Sequence, residues 1–594
     1  MQIARIAVVT GLLSVLGLPA PALAVSGAVS SAHPLATAAG IEMLKRGGNA
    51  FDAAIATSLV IGVVEPQGSG IGGGGFALVW AADPAGARVL DFREVAPLGA
   101  SRKMYQDKDG KVISRLSLDG PLAVAVPGQA AGLVRLQKTY AKLPLTTLAE
   151  PAVRLAREGF TVSEPFSRRL SSGAERLRKD PEAARIFLPG GEPPRPGQTF
   201  KQLDLALTLE QWAKSGGETF YRGSTATAIA EWMGKRGLVT LEDLKRYEPV
   251  WRTPLLGNYR GIPVVTMPPP GSGTVLLEML NILEGFEVSA QSPLLRTHVL
   301  AQAMSRAYAD RSRFLGDPAF VPVPVDELIA KVYARSLIGT IALDRATPAA
   351  SITPGSLLPE TVQARFKQWE APRKAENTSH LSVMDSAGNT VALTQTINGP
   401  FGAAVVASGT GILLNNEMDD FSSAPDVPNL YGLVGRAANA IEPLKRPLSS
   451  MTPTILLEKG KPWIALGSPG GSFITTAVLQ TIVNVVDLRL SIGEAVNAPR
   501  MHHQWLPDRL LLERNYPVGV QEFDRLGYKA SAIDAPGNVQ AVQFRPGQTP
   551  MFIGASDSRR EGMSQVWIEP EPKAKTAREA FPPAALTLPS ARRR

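Results

Sequence analysis

The chain has 594 residues, of which 44 % are hydrophobic and 19 % charged; that balance supplies a large core and excludes general disorder. Lys and Arg number 62 against 53 Asp and Glu, a net charge of +9, and the basic residues are scattered apart from the last three, so attraction to anions is allowed but no nucleic-acid surface is marked. With no cysteine and five histidines, disulfides, thiolate metal sites and a cysteine nucleophile are excluded, and little is left for a His-rich metal centre.

Residues 1–24 read as a secretory signal. Arg5 gives a minimal positive n-region, residues 6–18 an apolar stretch, and Ala22-Leu23-Ala24 an A-x-A-like cleavage site. The apolar stretch is shorter than the ~20 residues of a membrane span, so the expectation is a periplasmic or secreted chain with no span in its mature form. His33-Pro34 opens a helix that runs through Lys45 and stops at Gly47-Gly48. A second, mostly apolar helix covers 52–64 and ends before Pro66, followed by a glycine-rich run at 69–75 and a strand pair at 76–80 and 88–92. Residues 188–198 read as a loop and 274–283 and 294–314 as long amphipathic helices. A polar, weakly patterned stretch at 353–377 precedes a strand-rich half that begins at Thr378, and the tail 569–594 reads as disordered.

Thr378-Ser379-His380-Leu381-Ser382-Val383-Met384-Asp385 reads as a strand, 386–389 as a turn and 390–396 as a second strand. A hairpin about this turn brings Thr396 or its neighbour opposite Thr378. Cross-strand threonine pairs are ordinary in sheets, so spacing alone leaves both a packing pair and a nucleophile with its hydroxyl partner open. Gly467-Ser468-Pro469-Gly470-Gly471-Ser472 follows the apolar strand 463–466 and is either a plain strand-to-helix turn or a nest of amides suited to an oxyanion. The 69–75 run lacks the Lys-Ser/Thr of a phosphate loop. Asp107-Lys108-Asp109-Gly110 reads as a turn, since Leu118 stands where a calcium loop needs Glu. His502-His503 reads as packing or hydrogen bonding rather than metal ligation, and the sequon Asn377-Thr378-Ser379 is set aside because it opens a strand.

Taken together, these segments resemble the γ-glutamyltranspeptidase (glutathione hydrolase) family of N-terminal-nucleophile hydrolases, from about Gly27 to Asp557. The resemblance is carried by Ser31-Ala32-His33-Pro34-Leu35-Ala36, Gly47-Gly48-Asn49-Ala50, Glu65-Pro66, Gly70-Ile71-Gly72-Gly73-Gly74-Gly75-Phe76, Leu90-Asp91-Phe92-Arg93-Glu94, Val126-Pro127-Gly128 and Tyr308-Ala309-Asp310-Arg311. In the back half it is closer, in Asn415-Asn416-Glu417-Met418-Asp419-Asp420-Phe421, Arg446-Pro447-Leu448-Ser449-Ser450-Met451 and Gly467-Ser468-Pro469-Gly470-Gly471.

The resemblance implies an α+β fold, a four-layer αββα sandwich, and a precursor that cuts itself between Asn377 and Thr378 into a large subunit (25–377) and a small one (378–594) sharing one core. Thr378 would be the nucleophile, with Thr396 bonded to its hydroxyl and the Gly470 and Gly471 amides holding the oxyanion. Arg93, Ser449 and Ser450 would bind the substrate α-carboxylate; Glu417, Asp420 and Asn398 the α-ammonium; residues 425–435, with Tyr431, would form a lid. Substrates would be glutathione and γ-glutamyl amides, acceptors water, amino acids or peptides, and no cofactor or metal is implied. Two departures stand out: Ser379 replaces a second Thr found in some members, and Pro268-Pro269-Pro270-Gly271-Ser272-Gly273 differs from the usual Pro-Ser-Ser-Gly run. A terminal threonine carries its own base, because an α-amino group has a reference pKa of ~7.7–8.0, near working pH.

Overall fold

The computed structural model describes residues 26–363, 378–424, 427–534, 537–549 and 551–570. The expected signal at 1–24, Asn377, Pro425 at the start of the lid and all of the tail beyond residue 570 lie outside the described residues. Among the described residues, no helix is long and apolar enough to cross a membrane.

Two antiparallel sheets form the centre. The first orders its strands Met563–Trp567, Gly27–Ser31, Ser379–Asp385, Thr390–Thr396, Gly74–Ala82, Ala85–Asp91 and Val250–Arg252. The second runs Phe552–Ser556, Gln540–Phe544, Lys461–Gly467, Thr454–Glu458, Ile262–Thr266 and Leu255–Tyr259. Strands alternate their side chains between two faces, and here both faces are apolar. Val79, Val383, Val391 and Leu393 pack outward against helices Pro34–Lys45 and Ala50–Val64. Phe76, Leu78, Met384 and Ala392 point inward and meet Val265, Ile455, Ala465 and Val542 of the second sheet. Helices Gly273–Leu283, Pro293–Phe314 and Phe473–Val486 cover the far side of that sheet. The result is the four-layer αββα sandwich.

Helix Ala50–Val64 begins two residues earlier than the apolar pattern predicts. The Asn49 side chain accepts from the Phe51 and Asp52 amides while Asp52 accepts from the Asn49 amide at 2.8 Å, a reciprocal cap that sets the start. The strand pair after it is also longer than predicted, because Gly74 and Gly75 enter the ladder opposite Thr396 and Gln395. Glycine is required just before them: a Cβ on Gly73 would run into the Thr396 carbonyl oxygen and meet Ile397 Cγ2 at 2.8 Å. Between 386 and 389 the turn is as expected. Asp385 accepts from the Ala387 and Asn389 amides at 3.0 Å and from the Ala50 amide at 3.0 Å, tying the hairpin to the helix above it.

His380, on the inward face, joins the two sheets. Ser382 Oγ donates to the Gln540 carbonyl at 3.1 Å, so His380 Nε2 donates to Ser382 Oγ at 3.1 Å and Nδ1 accepts from Thr394 Oγ1 at 2.8 Å. Complete burial of this neutral ring pushes its pKa down to about 3.

Two expectations follow. Gly73→Ala is expected to destabilise the protein by about 1–3 kcal/mol through overpacking and to slow chain cutting, read by thermal melting and intact mass; unchanged values would contradict the close packing. His380 binds fewer protons folded than unfolded between about pH 6.5 and 3, so its stabilisation is full above that window and is lost as pH falls through it. In an uncut Thr378→Ala background, urea unfolding at pH 7.5 and pH 5 should show His380→Gln losing on the order of 2 kcal/mol less on acidification than its parent. Equal losses would overturn the assignment.

Candidate active site

Thr378 immediately precedes strand Ser379–Asp385, and Thr396 ends the strand paired with it in the register Gln395 opposite Ser379. Both threonines sit on the inward face, 7 % and 3 % exposed. The Thr378 hydroxyl donates to Thr396 Oγ1 at 3.3 Å, and Thr396 Oγ1 also accepts from the Asn398 amide at 2.8 Å. Asn398 takes a left-handed φ of 68°, which turns the chain out of the strand and into the site. On the opposite face, Ser379 Oγ donates to Glu65 at 3.0 Å and lies 3.4 Å from Ser69 Oγ. Burial pushes the Glu65 carboxyl up.

Beside the threonines lies a buried charge cluster. Strand Ala85–Asp91 ends at Asp91, whose side chain accepts from the Arg93 amide at 2.9 Å, while Tyr247 donates to the Arg93 carbonyl at 2.9 Å. Held in this way, the Arg93 guanidinium reaches Glu417 and Asp420 and contacts the Pro447 carbonyl at 3.3 Å. Arg93 and Glu417 are fully buried and Asp420 nearly so. Burial opposes the Arg93 charge, but Glu417, Asp420 and Glu94 more than offset it and hold the guanidinium protonated. Burial likewise pushes the Glu94 and Glu417 carboxyls up. Asn398 donates through Nδ2 to the Asn416 carbonyl at 2.9 Å, which leaves its Oδ1, like one Glu417 oxygen, as a buried acceptor without a donor among the described residues.

Gly470 and Gly471 have φ values of 133° and 55° and lead into helix Phe473–Val486. Their carbonyls accept from Phe473 and Ile474, while neither amide donates to a backbone carbonyl among the described residues. The Tyr431 ring lies against Gly471, where a Cβ would collide with it, and its hydroxyl donates to the Asn398 carbonyl at 2.8 Å. The segment bearing Ser449 and Ser450 is held by the proline-glycine run Pro268-Pro269-Pro270-Gly271-Ser272-Gly273. The Ser449 amide donates to the Pro270 carbonyl at 2.7 Å, Ser272 Oγ donates to the Ser449 carbonyl at 2.6 Å, and the Ser272 amide donates to the Met451 carbonyl at 3.2 Å.

Thr378, Thr396, Arg93, Asn398, Glu417, Asp420, Tyr431, Ser449, Ser450 and Gly471 line one cavity of about 10 Å³, the room of a single water molecule. Gly470 is adjacent to it in sequence. These residues are thus brought together around one small cavity, with the buried Tyr431 in its wall. The cavity is also lined by a charged residue to which the sequence assigns no role, Arg311, which donates to Ser450 Oγ at 3.4 Å. Glu65 was also missed, since only the tertiary fold places it under Ser379.

The remaining motifs stand apart. His502 bonds Thr476 and Gln504, each at 2.9 Å, and His503 lies 3.3 Å from Asp508. Among the described residues no cluster could hold a metal ion. Asp107 accepts from the Asp109 and Lys111 amides at 2.9 Å, a turn as expected.

The chain is similar to known proteins over most of its length. The family model described as Gamma-glutamyltranspeptidase matches residues 36–567. The glutathione hydrolase proenzyme of Escherichia coli (strain K12) is 44 % identical over 549 residues, covering 91 % of each chain. Among solved structures, cephalosporin acylase from Bacillus halodurans aligns with a TM-score of 0.79 at 29 % identity, covering 94 % of this chain and 100 % of that one. Helicobacter pylori gamma-glutamyltranspeptidase aligns with a TM-score of 0.54 at 41 % identity, covering 58 % of this chain and 99 % of that one. A match this long, joined to a threonine pair at the head of a central strand, leaves one conclusion: the chain belongs to the gamma-glutamyltranspeptidase family.

Proposed function

We propose that the protein is a self-cleaving γ-glutamyltransferase and glutathione hydrolase in which Thr378 is the nucleophile. The observation that carries this reading is the hydroxyl pair Thr378–Thr396 at 3.3 Å, placed beside buried charges of both signs. In the precursor, Thr378 Oγ attacks the Asn377 carbonyl carbon. The peptide C–N bond breaks as the C–O bond forms, the nitrogen takes the proton, and water hydrolyses the ester. The freed α-amino group of Thr378 is then the base for its own hydroxyl.

In turnover, Thr378 Oγ attacks the γ-carbonyl of the substrate, and the Gly470 and Gly471 amides hold the oxyanion; losing one such donor typically costs ~2.7–4 kcal/mol. The leaving amine departs with a proton, and the acyl-enzyme passes to water or to the amine of an amino acid or peptide. Thr396 Oγ1, fixed by the Asn398 amide, orients the nucleophile.

A γ-glutamyl head carries an ammonium and a carboxylate on one carbon, and the cluster offers a partner for each. The ammonium would take Glu417, Asp420 and the spare Asn398 Oδ1; the carboxylate would take Arg93, Ser449 and Ser450. Substrate thus replaces the direct contacts of Arg93 with Glu417 and Asp420, and the segment bearing Tyr431 moves aside to admit it.

A second reading, a glutaryl acylase, is favoured by the likeness to the cephalosporin acylase. Glutaryl lacks the α-ammonium and would leave Glu417 and Asp420 without that partner, so the first reading fits the charges better.

Intact mass of the purified protein should show two fragments, one beginning at Thr378, and Thr378→Ala should remain one chain without turnover. The cut enzyme should prefer a γ-glutamyl anilide over a glutaryl anilide by roughly a hundredfold or more in kcat/KM, as loss of charged hydrogen bonds implies. Preference for glutaryl would establish the acylase instead, and an uncut wild type would remove the nucleophile.

A further inference from the structure

Arg311 lies in the last turn of helix Pro293–Phe314, is 4 % exposed and lines the same cavity as Ser450. Its Nε donates to Ser272 Oγ at 3.3 Å and its Nη2 to Ser450 Oγ at 3.4 Å. Among the described residues no carboxylate lies within ion-pair distance of it, although Arg93 in the same cavity has three. Its neighbour Asp310 faces away, accepting from the Tyr333 hydroxyl and from the Gly355 amide at 2.6 Å. A guanidinium held out of water by two neutral hydroxyls is poorly compensated, and a buried cation calls for an anion.

The Ser450 hydroxyl supplies the route. Its oxygen accepts from Arg311, and its own hydrogen has no acceptor assigned among the described residues, so it is available to an anion in the cavity. A hydroxyl that accepts from a cation becomes a stronger donor.

We propose that Arg311 is a positioning and specificity-determining residue for the substrate α-carboxylate. It polarises Ser450 and supplies the cavity with a positive charge that no carboxylate pairs directly among the described residues, Asp420 acting on it only from beyond ion-pair distance. Arg93 has its own carboxylates to retreat to when the site is empty; Arg311 has none within ion-pair distance among the described residues, so the carboxylate end keeps a positive charge throughout the cycle. The site therefore demands a charged carboxylate, not merely a hydrogen-bonding group of the same shape. This deepens the γ-glutamyl reading and rests on it.

The test compares a γ-glutamyl anilide with its α-carboxamide counterpart, which keeps the shape and loses the charge. In Arg311→Gln, KM for the acid should rise roughly tenfold to a hundredfold, the range of one charged hydrogen bond, while the poorer KM for the carboxamide moves less than threefold. Arg311→Lys, which keeps the charge and serves should the Gln variant misfold, should recover part of the loss on the acid alone. Self-cleavage, read by mass, reports on folding in each variant. Equal factors on both substrates, or no change on the acid, would overturn the proposal. Should the wild type hydrolyse neither substrate, the γ-glutamyl reading falls first, and calorimetric binding of L-glutamate to wild type and Arg311→Gln decides on the arginine: weaker binding supports it and equal binding rejects it.

Discussion

A slip of one residue between strands Ser379–Asp385 and Thr390–Thr396 would turn one strand over against the other, sending either Val383 or Val391 and Leu393 into the gap between the sheets. The register is held against that slip at both ends. At the turn, Asp385 accepts from three backbone amides, one of them on helix Ala50–Val64. Along the strands, His380 is fitted between Thr394 and Ser382, which is bonded in turn to Gln540 of the second sheet. Only in this register do Thr378 and Thr396 share the inward face. The chemistry of the site thus depends on the same alternation that builds the core.

The charged half of the site is built on a different footing. Arg93, Glu417 and Asp420 are buried together, where a lone charge would be costly and a pair is sustained only by good geometry. The backbone supplies that geometry: Asp91 and Tyr247 fix the Arg93 main chain, and the short turn Glu417–Asp420 presents its acids from the opposite side. A ligand with both charges on one carbon can exchange for these contacts without leaving any group unpaired. A ligand with one charge cannot. Under the proposed reading, selectivity for a zwitterionic head follows from how the empty site balances its own charges.

Much of this was legible in the sequence where the cause is local. The helix from Pro34 ends where its glycines stand, the 386–389 turn closes on Asp385, and the hairpin places Thr396 against Thr378 as the alternation requires. Where the cause is tertiary, pattern alone was mute. Arg93 and Glu417 are 324 positions apart, and only the family resemblance assigns them to one site. The resemblance assigned them to substrate; it did not foresee that they would hold each other. Arg311 stands in a motif that gives it no task by itself, because its environment is set by Ser272 and Ser450 from two other segments. The early start of helix Ala50–Val64 came from the Asn49 cap, a hydrogen-bond effect that apolar periodicity does not register.

The two sheets draw strands from both sides of residue 378. In the first, Ser379–Asp385 lies between Gly27–Ser31 and Thr390–Thr396, and Thr390–Thr396 against Gly74–Ala82; in the second, Thr454–Glu458 lies against Ile262–Thr266. Such a core is woven most readily while the chain is continuous, because every long-range pairing is then intramolecular. Once the peptide bond is cut, the same weave becomes a non-covalent complex whose reassembly depends on concentration. The folded enzyme is accordingly a one-way product: its persistence is governed by how slowly it unravels rather than by an equilibrium it can revisit. For a protein whose activity begins with the loss of its own continuity, folding has to be finished before function starts.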